Sequence, residues 1–299
     1  MNLYLDCIHC MFRQVLQAAR FCGVDEAKQE HLLRESMRLV HATDWRCTPM
    51  QLAQPVLDMV KAETGIEDPY AEVKKLCNAE AERHAGHVYE RIRESDDPIG
   101  TALKAAVGGN IIDYGSQNSF DLDATMDRIF SSEFAIDDES KLKDELARCE
   151  TIGYLGDNAG EIIFDRILIE TVNAVYGAKR VVFAVRDQPL LNDALREDAE
   201  AAGLSSAGNV EIVEMAPNIP DQRSPQFEIW RRLCDCDLII SKGQGNYEGF
   251  SSVGGIYFLL MAKCELIARN VRERAMSAQL RMGDMILWRG TGSLAAGIW

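Results

Sequence analysis

The sequence lacks long apolar runs, an excess of basic residues and an even number of cysteines. No stretch of its 299 residues approaches the roughly 18 consecutive apolar residues of a membrane-spanning helix. Lys and Arg number 32 against 47 Asp and Glu, so the formal net charge is -15. A duplex-binding protein needs a basic face to displace counterions. This charge balance therefore argues against nucleic acid and anionic membranes as partners.

The nine cysteines fit a complete disulfide framework poorly, and in a cytosolic chain we expect them to be reduced. Cys7 and Cys10 form a CxxC pair, which can hold zinc, half of a metal cluster or a redox disulfide. A second CxxC that would complete a zinc ribbon is missing, because Cys234 and Cys236 have CxC spacing. The N-terminal segment has an early acid and no long apolar core. We therefore expect no signal peptide and a cytoplasmic protein.

The pattern of apolar residues differs between the first and second parts of the chain. Residues 1 to about 100 show apolar residues at helical spacing, whereas short β-branched runs alternate with helical stretches after about residue 150. This alternation indicates βαβ units and a parallel sheet. We predict a helical N-terminal domain at 1–105 and a Rossmann-like three-layer α/β/α sandwich at 106–299. The predicted strands are 151–156, 180–185, 210–214 and 237–241, with less certain ones at 256–262, 266–268 and 284–288. Helices are predicted at 160–175 and 191–202.

Polar side chains follow the predicted strands at the ends where an open parallel sheet binds its ligands. The first strand runs into Asp157 and Asn158, which stand together between glycines, and Asp193 lies at the start of a later helix. Carboxylate and amide oxygens are hard donors that suit Mg²⁺, Mn²⁺ or a similar ion. The three residues therefore predict a divalent-metal site, although each could instead cap the helix that follows it.

The segment 242–248 is rich in glycine and carries Lys242. Loops of this kind cradle phosphate oxygens with backbone N–H groups. The segment has neither the GxxxxGK[ST] spacing of a P-loop nor the GxGxxG spacing of a dinucleotide site. It therefore predicts a phosphate-binding loop, with a plain turn as the alternative.

Five short motifs together resemble the damage-control phosphatase family, once described as a domain of unknown function. They are GDNAGE at 156–161, LND at 191–193, KGQGNYEG at 242–249, GGNIIDYG at 108–115 and CIHC at 7–10. Each motif is weak alone, but jointly they span most of the chain in family order. The CIHC motif resembles the microbial subgroup that carries an N-terminal CxxC.

The resemblance implies a helical part packed on a Rossmann-like domain and metal-dependent hydrolysis of small phosphomonoesters, such as sugar phosphates or damaged phosphometabolites. It matches the family's metal ligands to Asp157, Asn158 and Asp193, with Mg, Mn, Co or Ni as the ion. It also matches the family's phosphate-contacting lysine to Lys263. That lysine reaches the same rim only if 256–262 is a strand and not a helix.

The expected substrate contacts come from two of these motifs. The resemblance matches the family's Asn and Asp of the earlier motif to Asn110 and Asp113. The glycine-rich motif adds Lys242, Gln244 and Asn246. Some relatives have an acid at the position of Gln244, and a neutral amide can orient a substrate but cannot act as a base.

The expected chemistry leaves the attacking group open. It is either water held by the metal or the Asp157 carboxylate, which would form a phospho-enzyme. Lys263 would offset the charge that develops on the phosphate oxygens. Glu161 lies one turn into the helix and would act as a base or support a metal ligand, although helix N-termini favour acids in any case.

Two other classes of protein compete with the phosphatase interpretation. A non-catalytic nucleotide- or phosphate-binding Rossmann-like module would share the sheet and glycine-rich segments but would not hydrolyse an aryl phosphate. A redox or metal-carrier protein would depend on Cys7 and Cys10 and would hold stoichiometric zinc or iron.

Overall fold

A computed structural model describes residues 1, 3–109, 122–277 and 279–292 of the chain. The helices of this part are α1 (Leu5–Phe21), α2 (Glu26–Ala42), α3 (Pro49–Thr64), α4 (Ala71–Glu94), α5 (Pro98–Gly108), α6 (Leu122–Ser131), α7 (Glu139–Leu146), α8 (Glu161–Tyr176), α9 (Arg196–Ala201), α10 (Gln226–Cys234), α11 (Gly243–Phe250) and α12 (Glu265–Ala275). The strands are β1 (Ile136–Asp137), β2 (Thr151–Leu155), β3 (Arg180–Arg186), β4 (Asn209–Met215), β5 (Leu238–Lys242), β6 (Ile256–Met261) and β7 (Met285–Arg289). A short 3-10 helix covers Leu204–Ser206.

Helices α1, α2 and α3 pack on one another around an apolar core of their own. Val15, Leu32 and Val56 are fully buried in it, one from each helix. Leu190, from the loop after β3, joins the same core. The first three helices are therefore packed against the loop that follows β3, and this contact brings them near the end of the sheet.

The seven strands form one mixed sheet in the order β1-β7-β6-β5-β2-β3-β4. β6, β5, β2, β3 and β4 run parallel, as predicted. β7 runs antiparallel to β6, and β1 pairs parallel with β7. The prediction of a parallel sheet is therefore wrong at this edge. Gly283 N donates to Ala262 O at 2.8 Å. The chain thus re-enters the sheet beside the carboxyl end of β6, which forces β7 to run backwards.

Alternate side chains of the strands face two separate helical layers. On β3, Val181, Phe183 and Val185 pack into a core that includes α4 to α9. Val182 and Ala184 pack on the other face, in a core with α10, α11 and α12. The protein therefore has the predicted α/β fold, with helices on both faces of the sheet.

Helices α4 and α5 share the core of the first face. Val88 of α4 and Leu103 of α5 are fully buried there together with sheet residues. Both positions lie within the predicted N-terminal domain, so part of that region packs on the sheet directly. The domain boundary at residue 105 stays a prediction.

Local sequence signals placed most element boundaries correctly. Thr48 begins α3 with a capping box to Gln51, and Pro49 is the first residue of the helix. The strand predicted at 256–262 is confirmed as β6, and the one at 284–288 as β7. Among the predicted helices and strands, two assignments are wrong. The helix predicted at 191–202 begins only at 196, and 266–268 lies inside α12.

No helix in the described ranges is both long and apolar enough to cross a membrane.

Candidate active site

The candidate site lies where the strand order reverses. The chain runs from β2 outward to β3 and β4 and then returns to β5 on the other side of β2. Open α/β sheets bind ligands in the crevice at such a switch point, outside the carboxyl ends of the strands. Asp157 follows β2 there and Gly243 follows β5. Gly243 has a φ of 76°, and a Cβ at this position would collide with the Asp157 carboxylate. Glycine is therefore required for the two strand ends to meet.

Asp157, Asn158 and Asp193 come together at this rim. Asn158 and Asp193 form an isolated antiparallel bridge. Ala194 N donates to Asp157 O at 2.8 Å, which fastens the two segments further. The three residues are 5%, 7% and 6% exposed, respectively. Residues that lie 35 positions apart in the chain are therefore joined by backbone hydrogen bonds into one buried polar cluster.

The amide of Asn158 is held in one orientation. Its Nδ2 donates to Asp157 Oδ2 at 2.7 Å and to Glu161 Oε1 at 3.0 Å. An amide has two donor hydrogens on nitrogen, and both are used. The carbonyl oxygen, Oδ1, is therefore the atom of Asn158 that is left to face a ligand.

The donor set fits a hard divalent cation. In the part of the chain that the structure covers, no group of three His, Cys, Asp or Glu side chains is placed to hold a metal ion. A metal site at this rim would therefore consist of two carboxylates and the Asn158 amide oxygen. Three oxygen ligands leave further coordination positions for water and substrate, as is usual for Mg²⁺ bound near phosphates.

Buried negative charge is concentrated at the rim. Burial first, and then the charges of Glu161 and Asp193, raise the pKa of Asp157, while Lys263 and Arg186 oppose the shift. Burial likewise raises the pKa of Asp193 against the effect of Arg186. Ionised carboxylates in such surroundings are unstable without a counter-charge, and a divalent cation would supply one.

Glu161 and Lys242 form a buried hydrogen-bonded pair on the interior side of Asn158. Glu161 is 1% exposed and accepts hydrogen bonds from Asn158 and, through Oε2 at 3.2 Å, from Lys242 Nζ. Lys242 is fully buried and also donates to Asp165 Oδ1 at 2.8 Å and Ala106 O at 2.7 Å. Its ammonium therefore points into the interior and not toward a substrate at the rim. For Glu161, the geometry favours support of a metal ligand over action as a general base. For Lys242, it favours a structural role over the predicted contact with substrate.

The segment predicted as a glycine-rich loop is a helix, α11, whose first turn faces the site. Its first N–H groups lack partners within the helix, so the anion-binding property expected of a loop is kept by the helix N-terminus. Asn246 is fully buried and donates to Gly156 O and Lys242 O, each at 2.8 Å. Its Nδ2 therefore holds two strand ends together, and its predicted contact with substrate stays a prediction.

Gln244 and Lys263 are neighbours at the same rim. Gln244 Oε1 accepts a hydrogen bond from Lys263 N at 3.2 Å, and its Nε2 donates to Glu248 Oε1 at 3.0 Å. Lys263 follows β6, which runs parallel to β5, so it emerges at the edge that carries Asp157. Its exposed side chain lowers the pKa of both Asp157 and Asp193 by its charge, although burial raises them overall. The position of Lys263 thus agrees with the geometry that its predicted role requires.

Two supporting residues were missed from the sequence. Arg186, the last residue of β3, is 4% exposed and donates from Nε to Asp193 Oδ2. A cation that ends a hydrophobic strand, as in RVVFAVR, could have drawn attention to it. Asn78 of α4 accepts a hydrogen bond from Gly160 N at 2.6 Å and so fixes the turn after Asn158. No local signal marks Asn78, because its partner lies 82 residues away.

Asn110 and Asp113, the expected contacts of the earlier motif, lie outside the described residues.

Cys7 and Cys10 lie near this rim without forming a described metal cluster. Burial raises the pKa of the Cys7 thiol, and the nearby Glu248 and Cys264 raise it further. Arg13 donates to Cys10 Sγ at 3.5 Å. A thiol with a raised pKa is less often a reactive thiolate. Cys7 therefore shows no sign of an activated thiol, and neither cysteine belongs to a metal-ligand cluster within the described residues.

Comparison with known sequences identifies related proteins over nearly the full length of the chain. A family model described as the damage-control phosphatase ARMT1-like domain matches residues 3–278. A damage-control phosphatase of Archaeoglobus fulgidus is 31% identical over 295 residues, which cover 94% of this chain and 96% of that protein. A damage-control phosphatase of Pyrococcus horikoshii is 30% identical over 281 residues, covering 91% and 95% respectively. An uncharacterized protein of Methanocaldococcus jannaschii is 31% identical over 280 residues, covering 89% and 90%.

A solved structure has the same fold. The crystal structure of a DUF89 family protein from Pyrococcus horikoshii superposes with a TM-score of 0.84 at 27% identity. The match covers 97% of this chain and all of that chain.

Proposed function

The chain belongs to the damage-control phosphatase ARMT1-like family, and on that premise we propose that it hydrolyses small phosphomonoesters with a divalent metal ion. Relatives from two archaea that bear the name damage-control phosphatase support a phosphatase activity. The substrates that we propose are sugar phosphates or damaged phosphometabolites. Assignment to the subgroup with an N-terminal CxxC stays a prediction from the CIHC motif.

The observation that carries this proposal is the meeting of Asp157, Asn158 and Asp193 at the switch point of the sheet. The two carboxylates and the fixed Asn158 Oδ1 would hold the ion, and Mg, Mn, Co and Ni are the candidates. When bound, the ion would polarise the phosphoryl group and stabilise the charge that develops on it.

The protein's own side chains would stabilise and position the phosphoryl group beside the ion. Lys263 projects from the same rim and would offset charge on phosphate oxygens that the ion does not contact. Gln244 keeps the Lys263 backbone in place through its Oε1. The Asp157 carboxylate is packed on Gly243 and accepts a hydrogen bond from Asn158. This restraint suits a ligand better than a group that must move to attack, so we favour water as the nucleophile.

The proposal is tested by measuring hydrolysis of p-nitrophenyl phosphate and a panel of phosphorylated sugars with each of the four ions. Asp157→Ala and Asp193→Ala should each lower kcat/KM by at least about a hundredfold, which corresponds to about 2.7 kcal/mol. Circular dichroism checks that each variant is folded, because both carboxylates are buried and Asp193 also pairs with the buried Arg186. Asp144→Ala, on the exposed surface of α7, is the matched control and should keep full activity.

Three results would count against the proposal. Hydrolysis that persists in a metal chelator would exclude the ion from the reaction. Turnover near the wild-type value in either site variant would show that the ligand assignment is wrong. A wild-type protein that hydrolyses none of the esters with any ion would remove the phosphatase assignment altogether.

A further inference from the structure

Arg186 is a buried cation whose hydrogen bonds are incomplete. It ends β3, and its backbone N donates to Ala194 O at 3.0 Å, so the intervening loop folds back over it. Its Nε donates to Asp193 Oδ2. The residue is only 4% exposed, yet Nη2 has no hydrogen-bond partner within the part of the chain that the structure describes. A buried charged donor without a partner is costly, so this atom points to a ligand.

The unpartnered Nη2 faces the first turn of α11. A Cβ placed on Gly245 would lie 3.8 Å from Nη2 and 3.6 Å from Met50 Cε. Gly245 is in the turn whose backbone N–H groups lack partners within the helix. A guanidinium and a helix N-terminus both attract anions, and here the two lie next to each other.

Arg186 and the first turn of α11 both adjoin the candidate metal ligands. Arg186 contacts Asp193 directly, and its charge also lowers the pKa of Asp157, whose upward shift is set chiefly by burial. Gly243, two residues before Gly245, touches the Asp157 carboxylate. An anion between Arg186 and α11 would therefore sit beside an ion held by Asp157 and Asp193.

We propose that Arg186 is a phosphate-binding residue, whose Nη2 donates a hydrogen bond to a nonbridging oxygen of the substrate's phosphoryl group. This inference rests on the proposed phosphatase function and extends it. Arg186 would hold one side of a phosphate dianion from within the protein, while Lys263 approaches from the exposed side of the rim. The pairing of Nε with Asp193 fixes the guanidinium, so that little side-chain freedom is lost when the phosphate binds.

Calorimetric titration of inorganic phosphate tests this role separately from catalysis. The wild-type protein and Arg186→Met are first titrated with the divalent ion that supports the highest activity, and then with phosphate in excess of that ion. We expect Arg186→Met to weaken phosphate binding at least tenfold and to change the affinity for the ion by less than about threefold. Arg232→Met is the control, because Arg232 pairs with Glu211 on the outer strand, and should change neither.

Arg186→Lys keeps a positive charge beside Asp193 but lacks the second arm of the guanidinium. It should fold even if the methionine variant does not, and it should weaken phosphate binding about fivefold and raise KM for the ester. Phosphate affinity that is unchanged in the lysine variant, or metal affinity that alone falls in the methionine variant, would overturn the proposal. Arg186 would then serve only as the partner of Asp193.

The design separates this inference from the proposed function. A wild-type protein that hydrolyses phosphomonoesters while its Arg186 variants bind phosphate normally would refute the role of Arg186 alone. A wild-type protein that neither binds phosphate nor hydrolyses an ester would refute both.

Discussion

Lys242→Met removes one charge from the interior and leaves the length of the side chain nearly unchanged. In the wild-type protein the Lys242 ammonium lies between Glu161 and Asp165, with both carboxylates and the lysine at 1% exposure or less. It also donates to Ala106 O. Tyr154 donates to Asp165 Oδ1 at 2.7 Å, so that carboxylate keeps a neutral partner when the lysine is lost. The substitution therefore leaves two buried acids without their only described cation.

The expected loss of stability follows from these contacts. Removing one partner of a buried ion pair typically costs about 3–5 kcal/mol. Burial raises the pKa of Asp165 to about 6, even though Lys242 lowers it. Without the lysine, Asp165 should be protonated at pH 7, and a shift of one unit adds about 1.4 kcal/mol. The unpaired Glu161 and the lost hydrogen bond to Ala106 O account for the rest of the expected destabilisation. We expect the free energy of unfolding to fall by about 3–5 kcal/mol at pH 7.

Urea unfolding followed by circular dichroism measures this loss. Lys75→Met is the matched control, because Lys75 pairs with Glu72 on the exposed face of α4, and should leave the unfolding midpoint unchanged. Adding Asp165→Asn to the Lys242 variant should restore part of the stability, since one uncompensated acid is removed. A Lys242→Met protein within about 1 kcal/mol of wild type would refute the argument that the lysine holds this buried cluster together.

Three further outcomes are expected. Lys263→Met should lower kcat/KM by the equivalent of about 2–4 kcal/mol, because one cation at the phosphate is lost. Calorimetry should find its metal affinity nearly unchanged, and an unaltered kcat/KM would contradict the assignment. The double change Cys7→Ser, Cys10→Ser should keep metal-dependent hydrolysis within about tenfold, or under ~1.4 kcal/mol, since oxygen ligands build the site. Complete inactivity in a well-folded double variant would favour a redox or zinc role. Burial raises the pKa of Glu248 from 4.5 to about 7, so wild-type stability should fall as pH rises through this range. Urea unfolding at pH 5 and 8 should show that the free energy of unfolding decreases by about 3 kcal/mol less in Glu248→Gln than in the wild type. An equal decrease in the two proteins would contradict this prediction.

The sequence by itself determined the strands and the rim on which the polar residues gather. Runs such as RVVFAVR and DLIIS are short, apolar and bounded by turn residues, so their assignment needs only local information. Because parallel strands end at one edge, the same information places Asp157, Gly243 and Lys263 near each other. The direction of β6 then delivers Lys263 to the rim without any knowledge of side-chain contacts.

Tertiary structure decided the form of the segment after β5. Three glycines at 243, 245 and 249 predict a loop, since each costs a helix about 1 kcal/mol relative to alanine. The segment is nevertheless helical, because Tyr247 and Phe250 are fully buried against the sheet. Burial of two large aromatic side chains outweighs the low helix propensity of the glycines.

Tertiary structure also decided which polar side chains face a ligand and which face the interior. Lys242 ends a strand at the rim, yet it turns inward because Glu161 and Asp165 of α8 lie beneath it. Arg186 is fixed by Asp193 across a loop, and Asn78 accepts a hydrogen bond from Gly160, which lies 82 residues later in the chain. The direction of a buried charge depends on its partners, which come from distant parts of the chain. Local pattern can therefore locate a site, but the pairing of its charges is set only when the separate segments pack together.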